Sequence, residues 1–195
     1  EAASRVLAEI MTGSLQWAKP NLIGGYTFGN PWRMRGHTFP GGTDPGGRGI
    51  ATTNLTAAQI PKDSNGIDTW WDFANPGDLY TTTPTNQAGA DISAVYKAAV
   101  QLGISINAAL ALIAGLTGQG SLAQQVLAFV TDPIVGGPAL VEAIDRAVAF
   151  YSTNPPTLPH ITYEFVDALP HQSSVQVATN HLNQIAAATA ARMAA

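Results

Sequence analysis

Between Pro20 and Pro31 the chain runs Leu22-Ile23-Gly24-Gly25-Tyr26-Thr27-Phe28-Gly29-Asn30, and this stretch leaves few folds open. It is too short for an ordinary helix, and its apolar residues, bounded by Pro and by Gly-Asn-Pro, suit a buried strand. Upstream, Val6, Leu7, Ile10 and Met11 recur at spacings of three and four and predict a helix from Ala2 to Met11, ended at Gly13. A helix followed by a short buried strand is half of a parallel-sheet unit. A second strand is expected within Ile67 to Ala74, which holds Trp70, Trp71 and Phe73 and closes on the turn Asn75-Pro76-Gly77-Asp78. The expected fold class is therefore α/β with a parallel sheet.

Three regions follow. Residues 1–90 carry the strands, with 32–68 read as a long surface excursion rich in Gly, Pro, Thr, Asn and Asp. Long ordered loops of this kind are usually functional. Residues 91–152 read as four helices, with caps at Asp91, Ser105 and Ser121, breaks at Gly118-Gln119-Gly120 and Asp132-Pro133, and a restart near Gly137-Pro138. Residues 153–195 begin with Pro155, Pro156 and Pro159, which enforce an extended passage to His160. They end in an amphipathic helix capped by Ser173 or Ser174, its apolar face made of Val175, Ala178, Leu182, Ile185, Ala186, Thr189 and Met193.

Charge and composition then exclude whole classes. A formal net charge of -4 argues against phosphate-backbone binding, so nucleic acid is not an expected partner. The sequence has no cysteine, which rules out disulfides and thiolate metal sites. The most apolar run, Ile104 to Leu116, is shorter than the roughly 20 residues that cross a bilayer, so no integral membrane span is expected. The start at Glu1 lacks the charged and apolar segments of a signal peptide. Nothing ahead of Glu1 caps the first helix, and the reading is of a chain cut upstream.

Acyl-transfer hydrolases need a hydroxyl nucleophile, a histidine to take its proton, and a carboxylate that fixes the histidine tautomer. In α/β-hydrolases these occur in the order Ser, Asp, His. Asp78 lies just past a strand's C-terminal end, where ligands gather in open sheets, and His160 lies in a Pro-flanked turn. Taken alone, an Asp in a Pro-Gly-Asp turn is a solvated turn residue, and a loop histidine is structural or exposed.

Three segments, in order, change that weighing. Tyr26-Thr27-Phe28-Gly29-Asn30-Pro31, Pro76-Gly77-Asp78-Leu79-Tyr80 and Pro159-His160-Ile161-Thr162-Tyr163 resemble the post-nucleophile strand, the acid segment and the histidine segment of the cutinase-like esterases of the mycobacteriophage Lysin B type. The resemblance covers most of residues 1–165. It implies the C-terminal part of an α/β-hydrolase core, with an all-helical insertion between Asp and His that ordinary cutinases lack. It also implies Asp78 and His160 as triad members, a lipid ester of the mycobacterial envelope as substrate, no cofactor and no metal. The source would be a phage, and the place of action the host envelope or the extracellular space.

One element is absent from the pattern. The family places its serine in a Gly-x-Ser-x-Gly elbow just before the helix matched here by Ala2 to Met11, and no such elbow occurs in the sequence. Ser4 and Ser14 lie in or at the end of a helix, without flanking glycines, and are not read as nucleophiles. The oxyanion-hole donors would lie upstream as well. By itself the chain is expected to be inactive, and Leu22 to Phe28 to contact protein outside it, whether an N-terminal half or a partner chain. The rival expectation is a non-catalytic phage structural or wall-binding protein on the same scaffold.

Other residues have plainer readings. Asp72 is the competing acid, but its place within an aromatic strand suggests a buried or edge position and not a loop beyond the strand. His37 reads as an exposed loop histidine, with the lining of a substrate groove as its other reading. His171 and His181 lack the four-residue spacing of a helical zinc pair. Trp70, Trp71 and Phe73 read as core, and the helices between Ile92 and Phe150 as a packed subdomain, one face of which could line an acyl groove.

Overall fold

The computed structural model describes residues 1–102, 142, 146–147, 149–150, 153–155 and 157–194. It is mixed α/β. Helix α1 (Ala2–Thr12) leads through a 3-10 segment (Gln16–Asn21) to strand β1 (Gly25–Phe28). Strand β2 (Trp70–Phe73) pairs with β1 in parallel, from Gly25 opposite Trp70 to Phe28 opposite Phe73. Helix α2 (Gln87–Leu102), a single helical turn α3 (Leu158–Ile161), a small antiparallel pair β3 (Asp167–Leu169) and β4 (Gln172–Ser173), and the long helix α4 (Ser174–Met193) complete the order. Among the described residues β1 pairs with no strand but β2.

Both strands are shorter than their apolar runs. Ile67 is 55% exposed, and Asp68 bridges to Lys62 instead of extending β2. Helix α1 lays Leu7 and Met11 on Leu55, Ile60 and Trp70, each worth about 1.5–3 kcal/mol of burial. A second cluster joins Ile50, Ala51 and Leu79 to Ile92 and Tyr96 of α2, and to Phe150. A third packs Phe39, Phe73 and Tyr163 against Val177 and Ala178 of α4. The strand pair is thus covered from several sides.

Three expectations about local structure need correcting. Residues 32–68 are not a surface excursion, because Phe39, Ile50, Ala51, Leu55 and Ile60 are all buried. The fully buried Arg33 organises the segment: its guanidinium donates to the carbonyls of Thr81 (3.0 Å), His37 (2.8 Å) and Gly46 (2.7 Å) and to Asp44 Oδ1 (3.0 Å). A buried cation is tolerable only when satisfied in this way. Helix α2 starts before Asp91, since Asn86 Oδ1 accepts from the Gly89 N–H (3.2 Å) and so caps it. His160 belongs to the helical turn α3, after Thr157 at φ 64, and not to an extended passage.

Helix α4 is capped by Ser173 as expected, but its buried face is rotated. Ser174, Val177, Ala178 and His181 face inward, while Val175, Leu182 and Met193 are exposed. His181 accounts for the turn: its ring stacks on Trp71 at 3.5 Å, and Nε2 lies 3.0 Å from the Thr69 carbonyl. Burial lowers its pKa. The expected helical features at 105, 118–121, 132–133 and 137–138, and the apolar run 104–116, lie outside the described residues. Among the described residues no helix is long and apolar enough to cross a membrane.

Candidate active site

The candidate site is assembled from three turns that follow secondary-structure elements. Asp78 stands five residues past β2 and is fully buried. A carboxylate without water must find donors in the protein. Asp78 finds three: the Tyr163 hydroxyl on Oδ2 (2.6 Å), the Tyr80 backbone N–H on Oδ1 (3.0 Å), and His160 Nδ1, 3.1 Å from each oxygen. Asp78 in turn holds its own loop, its carbonyl accepting from the hydroxyls of Thr81 and Thr82.

The sequence-predicted residues Asp78 and His160 are therefore brought together across 82 positions. With Nδ1–H donated to the carboxylate, the imidazole carries its lone pair on Nε2. Nε2 has no hydrogen-bond partner among the described residues, and the His160 side chain is 31% exposed. One face of the ring stacks on Tyr80, with centroids 4.2 Å apart. Gly29, at the end of β1, closes on the ring as well. A Cβ there would sit 2.4 Å from Cε1 and 2.7 Å from Nδ1, so only glycine, at φ 59, leaves His160 its place.

Tyr163, the last residue of the quoted histidine segment and three beyond His160, holds the same carboxylate, a role the sequence reading did not give it. Its pKa is raised far above the usual tyrosine range, first by burial and then by the Asp78 charge. That of Tyr80 is pushed up to about 12 by the same two causes in the same order. Asn75 ties the two loops together, its backbone N–H donating to the Tyr163 hydroxyl (3.2 Å) and its side-chain amide to the Pro159 carbonyl (2.8 Å). No local pattern marks it.

Asp72, the competing acid, does not reach His160. It is fully buried and holds His37 instead, with Oδ2 2.7 Å from Nδ1, while Oδ1 accepts from Asn30 Nδ2 (2.8 Å) and from the Thr27 hydroxyl. His37 is only 4% exposed, which overturns both the exposed and the groove-lining readings. Ser4 is buried and donates to Asn30 Oδ1 (2.7 Å), and Ser14 donates to Glu9, so neither hydroxyl is aimed at His160. His171 sits in the β3–β4 turn at φ 61. No group of three or more His, Cys, Asp or Glu among the described residues could hold a metal ion.

Compared with protein-family models, with characterised proteins and with solved structures, the chain finds no match.

Proposed function

We propose that this chain supplies the acid and the general base of a carboxylic ester hydrolase of the Lysin B type, built on a cutinase-like α/β-hydrolase scaffold. The serine nucleophile and the oxyanion donors come from protein outside these residues, an N-terminal half or a partner chain seated along the side of β1 that pairs with no strand among the described residues. One observation carries the reading: a fully buried aspartate holds Nδ1 of a histidine whose Nε2 has no partner among the described residues. That arrangement suits an imidazole for moving protons at one nitrogen only.

In this scheme Nε2 takes the serine proton as Oγ attacks the ester carbonyl. It then returns that proton to the leaving alcohol, and repeats both steps with water to release the acid. Asp78 stays charged and stabilises the imidazolium, while Tyr163 and the Tyr80 N–H fix the carboxylate. The substrate follows the resemblance: the ester joining mycolic acid to arabinogalactan in the mycobacterial envelope. No cofactor enters these steps.

The test is to treat the full-length protein that bears this chain with a fluorophosphonate, which captures activated serines, and to map the labelled peptide. The expected result is one labelled serine outside residues 1–195, with labelling lost in His160→Ala. Labelling of Ser4 or Ser14, or full-rate labelling in His160→Ala, would overturn the reading. An unlabelled protein that binds mycobacterial walls would make the chain an attachment module instead.

A further inference from the structure

Beside the Asp78 loop lies a pocket of about 440 Å³, large enough for a small organic ligand. Its wall includes Arg35, Gly47, Thr85, Asn86, Glu142 and Arg146. The hydrogen-bonding capacity of this wall is lopsided. Glu142 spends one oxygen on Arg146 (2.9 Å) and the other on the Asn86 amide (2.9 Å), and Asn86 Oδ1 already accepts from Gly89. Each of these side-chain oxygens is therefore already engaged within the protein.

The donors are not. Arg35 is exposed and makes no hydrogen bond or ion pair among the described residues, so its guanidinium offers all five N–H groups. Arg146 uses Nε and one terminal nitrogen on Glu142, and its other terminal nitrogen has no partner among the described residues. The Gly47 backbone N–H and the Thr85 hydroxyl also lack partners among the described residues. Among the described residues of the wall, two arginines stand against one glutamate. Two arginine guanidiniums with N–H groups to spare, beside an open backbone N–H and a hydroxyl, suit the head group of an oxyanion.

A second, smaller pocket of about 220 Å³ shares Gly77, Thr82 and Arg146 with the first. It is apolar, with Leu79, Phe150 and Pro159 on its wall. Pro159 directly precedes His160, so the pair of pockets leads from the arginines to the edge of the histidine turn.

We infer that the two pockets form one binding site for an amphiphilic anion, with a carboxylate or phosphate group on Arg35 and Arg146 and an apolar tail against Leu79 and Phe150. The assignment stands on the pocket walls alone and does not need His160 to move a proton.

Calorimetric titration of the intact protein at fixed ionic strength with hexyl phosphate, hexanoate and hexanol tests it. Saturable binding of at least one anion is expected, at least about tenfold tighter than hexanol, because charge-assisted hydrogen bonds to arginine are the strong ones. The tighter of the two anions identifies the head group. Arg35→Ala should weaken that binding about tenfold or more, with Arg35→Lys in between, because a lysine keeps the charge and loses the planar fork. Glu142→Gln should tighten it by removing the competing charge. Hexanol binding as well as the anions, affinity unchanged in Arg35→Ala, or no saturable binding of either anion would each overturn the assignment.

Discussion

His37 and His160 each present Nδ1 to a fully buried aspartate, at 2.7 Å to Asp72 and 3.1 Å to Asp78. Their surroundings are opposite. The His37 side chain is 3% exposed and its Nε2 is sealed in protein, 3.6 Å from Asp68 Oδ2, whereas the His160 side chain is 31% exposed. Asp72 also gathers Thr27 and Asn30, and through Asn30 reaches Ser4, so this network knits α1, β1 and β2. Asp78 gathers the Tyr163 hydroxyl and the Tyr80 backbone N–H, which steady the carboxylate beside His160. The same dyad chemistry thus works as a rivet where it is closed off and as a candidate proton carrier where one nitrogen faces outward.

The sharpest way to break this comparison is to delete each histidine in the full-length protein. His160→Ala is expected to lower ester hydrolysis by on the order of 10⁴ while moving the melting temperature little. Equal activity loss in both variants, at matched folded fraction, would erase the distinction. His37→Ala is expected to act on stability instead. Leaving the fully buried Asp72 carboxylate short of one donor costs about 1–3 kcal/mol, measurable as a lower denaturant midpoint, with turnover preserved in the folded fraction.

Gly29→Ala probes the open pair more finely. The added methyl would displace the His160 ring, and misplacement of about 1 Å costs roughly 10²-fold in rate. The strain of a left-handed alanine, about 1–2 kcal/mol, should appear in the same variant as a modest loss of stability. Unchanged turnover would mean that the ring position is not limiting.

The smallest effect concerns pH. Tyr80 and Tyr163 have folded pKa values above the unfolded value near 10, so the folded state holds those protons more tightly. Their contribution to stability is complete below about pH 10 and declines as pH rises toward the folded values. Chemical denaturation between pH 9 and 12 should show this decline, and Tyr163→Phe should flatten it. An equal slope in Tyr163→Phe would assign alkaline sensitivity to other groups.

The readable parts of the sequence were those governed by local periodicity and by punctuation. Helix α1, the two apolar runs and the Ser173 cap each appear near their expected places, because breakers and repeats act over a few residues, although Val6 of the α1 spacing is 49% exposed and Ala8 is buried instead. The Asp78–His160 approach came from order and resemblance, not from spacing, since no local signal spans 82 positions. What stayed hidden depends on burial of polar groups. His37 reads as an exposed loop residue and Arg33 lies within the expected surface excursion, and only the carbonyls and carboxylates that the fold brings around them make their burial tolerable, whereas the burial of Asp72 is legible from its aromatic strand. The rotated face of α4 has the same origin, because a histidine stacked on Trp71 outweighs Val175 and Leu182.

The burial of Arg33 also bears on how the chain opens. Residues 32–68 contain little regular structure, yet one cation holds the carbonyls of His37, Gly46 and Thr81 to a single point. To free any of these is to leave the charge short of acceptors, so the segment cannot peel away piece by piece. Amide hydrogens such as those of Ile50 and Ala51 should exchange only in the rare global opening, alongside those of the strands. The exposed tip at Asp63-Ser64-Asn65-Gly66 lies outside this clamp, and there a protease or an inserted peptide would find the backbone accessible while the rest of the loop stays closed.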